Sequence, residues 1–362
     1  MTITSDEDIL AYIKRTKPDW IKIDTIERLS GGTANYVWRA RLKEKCPELG
    51  GCNSVVIKHA ESFLATAPEF ALFAERMNYE ILAMRIAADA TISLPNCTVP
   101  TIYSYDEADK VAFMEDIGHS ANMKAYISAL DEPPSSGFAR EVGTALGRFI
   151  GRLHSAGHVQ RHELIDKLDN PKGVAISRYV VYDRVESVLK KFGKTDQALQ
   201  DAANWGGEQL SNNPQTLCMG DFWPGNILLP NDLTQDLKIQ VVDWEICRYA
   251  PSGMDLGQFL AETYCLDKYR QPCKDIITAF LSAYCKEYHP TLYDARIAII
   301  HFGFHLVVWT PVNDWVDDGT EIVDIGSQYV LHAWQEDWAW FKDTIFGDYL
   351  DTIKSSSENN HR

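Results

Sequence analysis

The chain contains no cysteine pair at C-x-x-C spacing and no H-E-x-x-H, although it has eight cysteines and ten histidines in 362 residues. Zinc sites need closely spaced ligands, and disulfide frameworks belong to short secreted chains, so neither is expected. Cys46, Cys52, Cys97, Cys218, Cys247, Cys265, Cys273 and Cys285 read as small, mostly buried hydrophobes. His301 and His305 share a helical face but lie in an apolar segment, and read as packing residues. No uninterrupted apolar run reaches the roughly 18 residues of a membrane span. The opening MTITSDEDILAYIKR has no basic region followed by an apolar stretch, so neither anchor nor signal peptide is read and a cytoplasmic location is expected. Basic charge is also scarce: 35 Lys and Arg face 51 Asp and Glu, a net charge of −16. A nucleic-acid partner, which needs a basic surface to displace counterions, is therefore not expected. The acidity favours solubility and tolerates cationic small molecules.

What the chain does have is 45% hydrophobic and 11% aromatic content, enough to bury a large core in two lobes. After a short amphipathic helix over Asp6 to Lys14, KIDTIERLS, NYVWRARL, SVVIKHA, TIYSYDE and VAFMED are short, β-branched or aromatic, and bounded by turn residues. They predict an antiparallel sheet. PEFALFAERMNYEILAMRIAAD, with apolar residues three and four apart, predicts a long helix between the third and fourth strands. Beyond Gly118 the period is helical in GFAREVGTALGRFIGRLHSAG, SRYVVYDRVESVLKKF, DIITAFLSAYCKEY, ARIAIIHFGFHLVVW and SQYVLHAWQEDWAWFKDTI. The reading is an α+β, bilobal plan: a small antiparallel-sheet lobe over 1–117 and a large helical lobe over 118–362, with the tail SSSENNHR disordered. A cleft between lobes is the usual place for a ligand.

Several residues then stand out in order. LSGGTANYVWRA sets Gly31, Gly32, Thr33 and Asn35 between two predicted strands; alone this reads as a hairpin turn, but such a loop can also fold over phosphates. VVIKHA places Lys58 on an apolar strand, and the next helix carries Glu80 among apolar neighbours as a partner for it. TLCMGDFWPGNILLPNDLTQDLKIQVVDWEICRY then supplies Asp221, Asn226 five residues later, and Asp243 after an apolar run. Either half alone is turn chemistry. Together the set has the order of the phosphoryl-transfer template: glycine-rich hairpin, strand Lys, helix Glu, loop Asp and Asn, metal-binding Asp.

MGDFWPGNILL, VVDWE, DLGQFL and VVWT resemble the signatures of the aminoglycoside phosphotransferase and choline kinase-like family of the protein kinase-like fold, near fungal 5-methylthioribose kinase and 4-hydroxytryptamine kinase-like members. The resemblance implies a small-molecule kinase using ATP and Mg2+. Asp221 would orient and deprotonate an attacking hydroxyl, and Asn226 and Asp243 would hold the metal. Backbone groups of Glu115 and Ile117, in FMEDIG, would meet adenine. Asp255, a plausible helix N-cap, would brace the catalytic loop from behind, while His154 reads as packing. The family's usual His before Gly-Asp is here Met219, which fills the volume but loses hydrogen bonds.

Only eleven residues separate Asp243 from Asp255, which leaves no room for a segment that docks a peptide, so no protein substrate is expected. The acceptor is read as a small hydroxyl compound: a sugar, amino alcohol, hydroxylated amine or aminoglycoside. Glu245 would face the site if its strand continues past Asp243. Trp309, Asp314 and Trp315 either belong to a solvated acidic loop after a core helix or line the acceptor pocket. Met219 also admits a different class of protein, a catalytically silent nucleotide-binding module, against which the retained Lys, Asp and metal positions argue.

Overall fold

The computed structural model describes residues 2–17, 21–29, 32–118, 120–231, 237–313 and 315–359, with side chains to 356. It divides into two compact units. The first comprises 1–88 and 99–119; the second comprises 89–98 and 120–362, so the segment 89–98 joins the helical unit.

The first unit is a five-stranded antiparallel sheet in the order Ile23–Arg28, Tyr36–Cys46, Cys52–His59, Val111–Glu115, Ile102–Asp106. Its inward residues, among them Trp38, Val55, Ile57 and Phe113, pack on Ile9, Tyr12 and Ile13 of the helix Asp6–Thr16. That helix begins with a capping box, Ser5 accepting from the Asp8 N–H while the Asp8 carboxylate accepts from Ser5. The second helix is shorter than its periodicity predicts. It spans Arg76–Ala87, because Ala67–Ala71 is drawn into a hairpin with Phe63–Leu64.

The second unit is helical, with two small sheets, one pairing Thr216–Cys218 with Arg248–Ala250 and one containing Ile227–Pro230 and Ile239–Val241. Its centre is the packing of Ser136–Val159 against Lys274–Glu287. Gly143, Gly147 and Gly151 recur every fourth residue on the contact face, and a Cβ on Gly143 or Gly147 would collide with the backbone carbonyl of Ile276 or Phe280. Glycine is required there for approach, not for turning. The predicted helix over SRYVVYDRVESVLKKF is split into Pro171–Val181 and Val185–Lys191. The tail is more ordered than its composition suggests: Gly347–Asn359 is helical, with Tyr349, Leu350 and Ile353 buried. Leu292–Val312 is long and apolar enough to cross a bilayer by length and composition, and 78% of its apolar window is buried within the structure. Within it, His301 and His305 are hydrogen-bonded to Tyr182 and Glu262, so they form polar links in the core as well as packing.

Because the colliding atom at Gly147 is backbone, Gly147→Ala should destabilise the protein by about 1–3 kcal/mol, the usual cost of overpacking. Gly137→Ala, on the same helix with only Ser135 Oγ at 4.0 Å, should be neutral or stabilising. Paired urea-unfolding curves check the difference.

Candidate active site

In the first unit, Lys58 projects from the strand Cys52–His59 and its Nζ lies 2.7 Å from Glu80 Oε1 on the helix Arg76–Ala87. Both side chains are buried, which fixes the ammonium in one place. The loop before the second strand is held from within. Arg76, 1% exposed, donates to the carbonyls of Ala34 (2.9 Å), Glu61 (2.7 Å) and Phe73 (2.6 Å), and to Asn35 Oδ1 at 2.9 and 3.2 Å. Asn35, read from the sequence as a phosphate contact, thus has its side-chain carbonyl committed to Arg76. Thr33 is exposed and its carbonyl accepts from Thr66. Gly32 is also exposed, with nothing within 4 Å of where a Cβ would stand, while Gly31 lies outside the described residues.

The segment Glu115 to Gly118 is fixed by Asp116, which the sequence did not single out. Its carboxylate accepts from Arg39 Nε (2.9 Å) and Nη2 (3.0 Å), Ser54 Oγ (2.7 Å) and the Gly118 N–H (2.9 Å). Burial opposes its ionisation, but these bonds outweigh it and hold the carboxyl below the usual range. Glu115 differs from expectation. Its N–H donates to the Thr101 carbonyl at 2.8 Å and its side chain caps the Thr101 N–H at 3.0 Å, so that N–H is not available to a ligand. Ile117, half-buried, remains the nearer candidate.

In the second unit, the ends of a hairpin bring Asn226 and Asp243 together. Strands Ile227–Pro230 and Ile239–Val241 pair antiparallel with Ile227 opposite Val241, and the Val242 N–H donates to the Asn226 carbonyl at 2.9 Å. The residue just before one strand and the residue just after the other therefore share one end. Asp243 adopts a left-handed backbone, φ +69°. Trp244, fully buried, anchors the turn behind it through Nε1 to the Val241 carbonyl at 3.0 Å. The strand ends at Val241, so strand alternation does not place Glu245; the tight turn does, with an Asp243 and a Glu245 carboxylate oxygen within 4.8 Å of each other.

Asp221 sits between two amides. Gln258 Nε2 donates to its Oδ1 at 2.6 Å, and Asn226 Nδ2 donates to its Oδ2 at 2.9 Å and its carbonyl at 3.0 Å. The donors orient the carboxylate. Burial, and then the negative charge of Asp243, push its pKa up to about 6 against those bonds. Gln258, on the helix Gly253–Tyr269, was not anticipated.

Behind this loop stands Asp255. Its Oδ2 accepts the Met219 N–H at 2.8 Å and lies 3.2 Å from His154 Nε2, and its Oδ1 accepts the Gly220 N–H at 2.9 Å. His154 Nδ1 meets the Tyr284 hydroxyl at 3.0 Å. Asp255 is two residues inside its helix and so is not the N-cap; it caps the catalytic loop instead. His154 is a fully buried link in that network and more than a packing residue. Gly220 has φ +87°, and a Cβ there would collide with Arg248 Nη1 and the Ile246 carbonyl.

Three comparisons bear on this geometry. The family model described as "Phosphotransferase enzyme family" matches residues 25–298. The chain belongs to that family. It is 30% identical over 331 residues to 4-hydroxytryptamine kinase of Psilocybe cyanescens, covering 87% of this chain and 89% of that protein. To the methylthioribose kinase of Bacillus velezensis it is 24% identical, covering 66% and 60% of the two chains. A mutant aminoglycoside 2'-phosphotransferase-IIIa, solved as its GDP complex, superposes with TM-score 0.52 over 91% of this chain and 100% of its own at 14% identity, which establishes the kinase-like α+β fold. As a family member the protein is a small-molecule kinase that uses a nucleotide donor.

Of the residues expected near an acceptor, Trp309 is half-buried with its ring 6.2 Å from that of His305. Trp315 is buried, and its ring already carries Lys124 Nζ at 4.1 Å and Arg270 Cζ at 5.2 Å from the centroid. A ring so covered is a poor platform for a further cation, so Trp315 is not kept as an acceptor contact. Asp314 lies outside the described residues.

Asp255 holds two backbone donors with two oxygens, whereas an amide has one acceptor. Asp255→Asn should therefore leave one buried N–H unpaired, at about 1–3 kcal/mol. A lowered Tm with a reduced kcat, and little change in nucleotide KM, is expected from melting and steady-state kinetics.

Proposed function

We propose that the γ-phosphoryl group of ATP, bound with Mg2+, is transferred to the hydroxyl of a small hydroxylated amine, with Asp221 as the base. The observation that carries the reading is the Asp221 carboxylate, fixed by Gln258 and Asn226 beside the hairpin end that bears Asp243. The acceptor class is supported by the 4-hydroxytryptamine kinases of Psilocybe cyanescens and Psilocybe cubensis, 30% and 28% identical along most of their lengths.

The donor set suits Mg2+, a hard ion that takes oxygen ligands. Asp243 offers a carboxylate, and Asn226, whose amide N–H groups are turned to Asp221, offers its amide oxygen. The left-handed backbone at Asp243 is an uncommon state for a non-glycine residue and is held there by the Trp244 anchor. When bound, the ion neutralises phosphate charge. Lys58, held by Glu80, would add a fixed positive charge to the phosphates, and the 115–118 segment would meet adenine through Ile117. Asp221 aligns the acceptor hydroxyl and takes its proton, its carboxylate held in place by Gln258 and Asn226.

A nucleotide-binding module without transfer would have no use for an oriented base. Asp221→Asn should keep nucleotide affinity within a few-fold while lowering kcat by roughly 100- to 10,000-fold. Asp243→Ala should instead lose Mg2+-dependent nucleotide binding in calorimetric titration. Undiminished turnover in the first variant, or equal nucleotide binding in both, would reject this division of roles.

A further inference from the structure

Glu262 and His305 lie outside the transfer machinery and are bonded to each other, His305 Nε2 to Glu262 Oε1 at 2.8 Å. They are 6% and 3% exposed. The pair is not internally satisfied: Glu262 Oε2 and His305 Nδ1 are both buried, and neither has a hydrogen-bond partner among the described residues. Burying a polar atom without a partner costs free energy, and two in contacting side chains is a costly arrangement for packing alone. Their chemistry is also of one kind. Glu262 Oε2 is a carboxylate oxygen, and with Nε2–H donating to Oε1 the neutral ring presents Nδ1 as an acceptor. Two acceptors on a negatively charged pair call for a cationic N–H donor.

The pair stands in a fixed relation to the base. Gln258, which donates to Asp221 Oδ1, precedes Glu262 by four residues in the helix Gly253–Tyr269, so the two side chains share a face about 6 Å apart along the axis. The His305 ring also lies 6.2 Å from that of Trp309, the half-buried aromatic at the end of Leu292–Val308.

We infer that Glu262 and His305 form the ammonium-recognition site of the acceptor, seating its amine about one helical turn from the carboxylate that receives its hydroxyl. This rests on the proposed reading of the protein as a kinase of hydroxylated amines, and it adds which residues select the charge. A sugar hydroxyl, which brings no cation to the pair, is expected to be a weaker acceptor.

The test separates the two readings by measuring binding apart from turnover. Tryptamine, which has the amine and no hydroxyl, and N-acetyltryptamine, which is neutral, are titrated calorimetrically into the wild-type full chain and into Glu262→Gln. Wild type should bind the amine about 10- to 100-fold more tightly than the amide, the worth of a charge-assisted bond, and Glu262→Gln should bring the two within about threefold. A role confined to packing would weaken both ligands alike and leave their ratio unmoved. Glu262→Asp, which keeps the charge on a shorter arm, should retain part of the preference and covers the case in which Glu262→Gln does not fold. Equal binding of the two ligands by wild type, or an undiminished preference in Glu262→Gln, overturns the inference. If the preference is present and lost as expected but wild type does not phosphorylate 4-hydroxytryptamine, the ammonium site stands and the proposed acceptor falls.

Discussion

The catalytic loop depends on one carboxylate that does no chemistry. Asp255 accepts the backbone N–H groups of Met219 and Gly220 at 2.8 and 2.9 Å, directly ahead of Asp221, and is itself held by His154 and Tyr284. Those two donors belong to a loop turned by a left-handed glycine, which has no strand neighbour to satisfy them. A buried carboxylate is worth keeping when each oxygen is hydrogen-bonded, and here both are. The glycine stripe of the long helix belongs to the same device. Gly143, Gly147 and Gly151 bring Ser136–Val159 close to Lys274–Glu287, which places His154 against Tyr284. Helix packing thereby sets the position of a loop.

From that fixed loop, the polar groups divide by what they can exchange. Asp221 is oriented by neutral amides, and burial and then the charge of Asp243 raise its pKa. Asp116 is gripped by a guanidinium and held ionised. The first suits the proton transfer proposed for Asp221, and the second holds a segment in place. Strength of pairing is what separates them.

The parts legible in the sequence were those whose partners are near in sequence or whose period is strong. The five strands of the first sheet follow from β-branched runs between turns, and Asp221 with Asn226 follows from spacing, since five residues span one loop. Asp243 was legible because it ends an apolar strand. Gln258, Arg76, Asp116 and Glu262 were not, because each acts on a residue 37, 41, 77 or 43 positions away and a polar residue on a helix or loop looks the same whether it meets solvent or a carboxylate. Arg76 had one signal, a cation in an apolar helical pattern, the same argument that singled out Glu80. The hairpin over 63–71 was missed because its residues also satisfy a helical period, and pairing with the neighbouring strand overrides that preference.

Met219 shows how the loop tolerates the loss of a polar side chain at its start. The side chain is wholly buried, so the position needs volume, and an unbranched thioether supplies it. What the loop requires in hydrogen bonding is taken from the backbone of the same residue, through its N–H to Asp255. The bracing contact is therefore independent of side-chain identity at 219, whereas it would not survive a change in the carboxylate that receives it. The same helix that supplies this carboxylate continues through Gln258 to Glu262 on successive turns. One rigid element thus fixes the loop, orients the proposed base through Gln258 and carries the group proposed for the acceptor amine, so the spacing of Gln258 and Glu262 is set by helical rise and does not depend on a flexible segment.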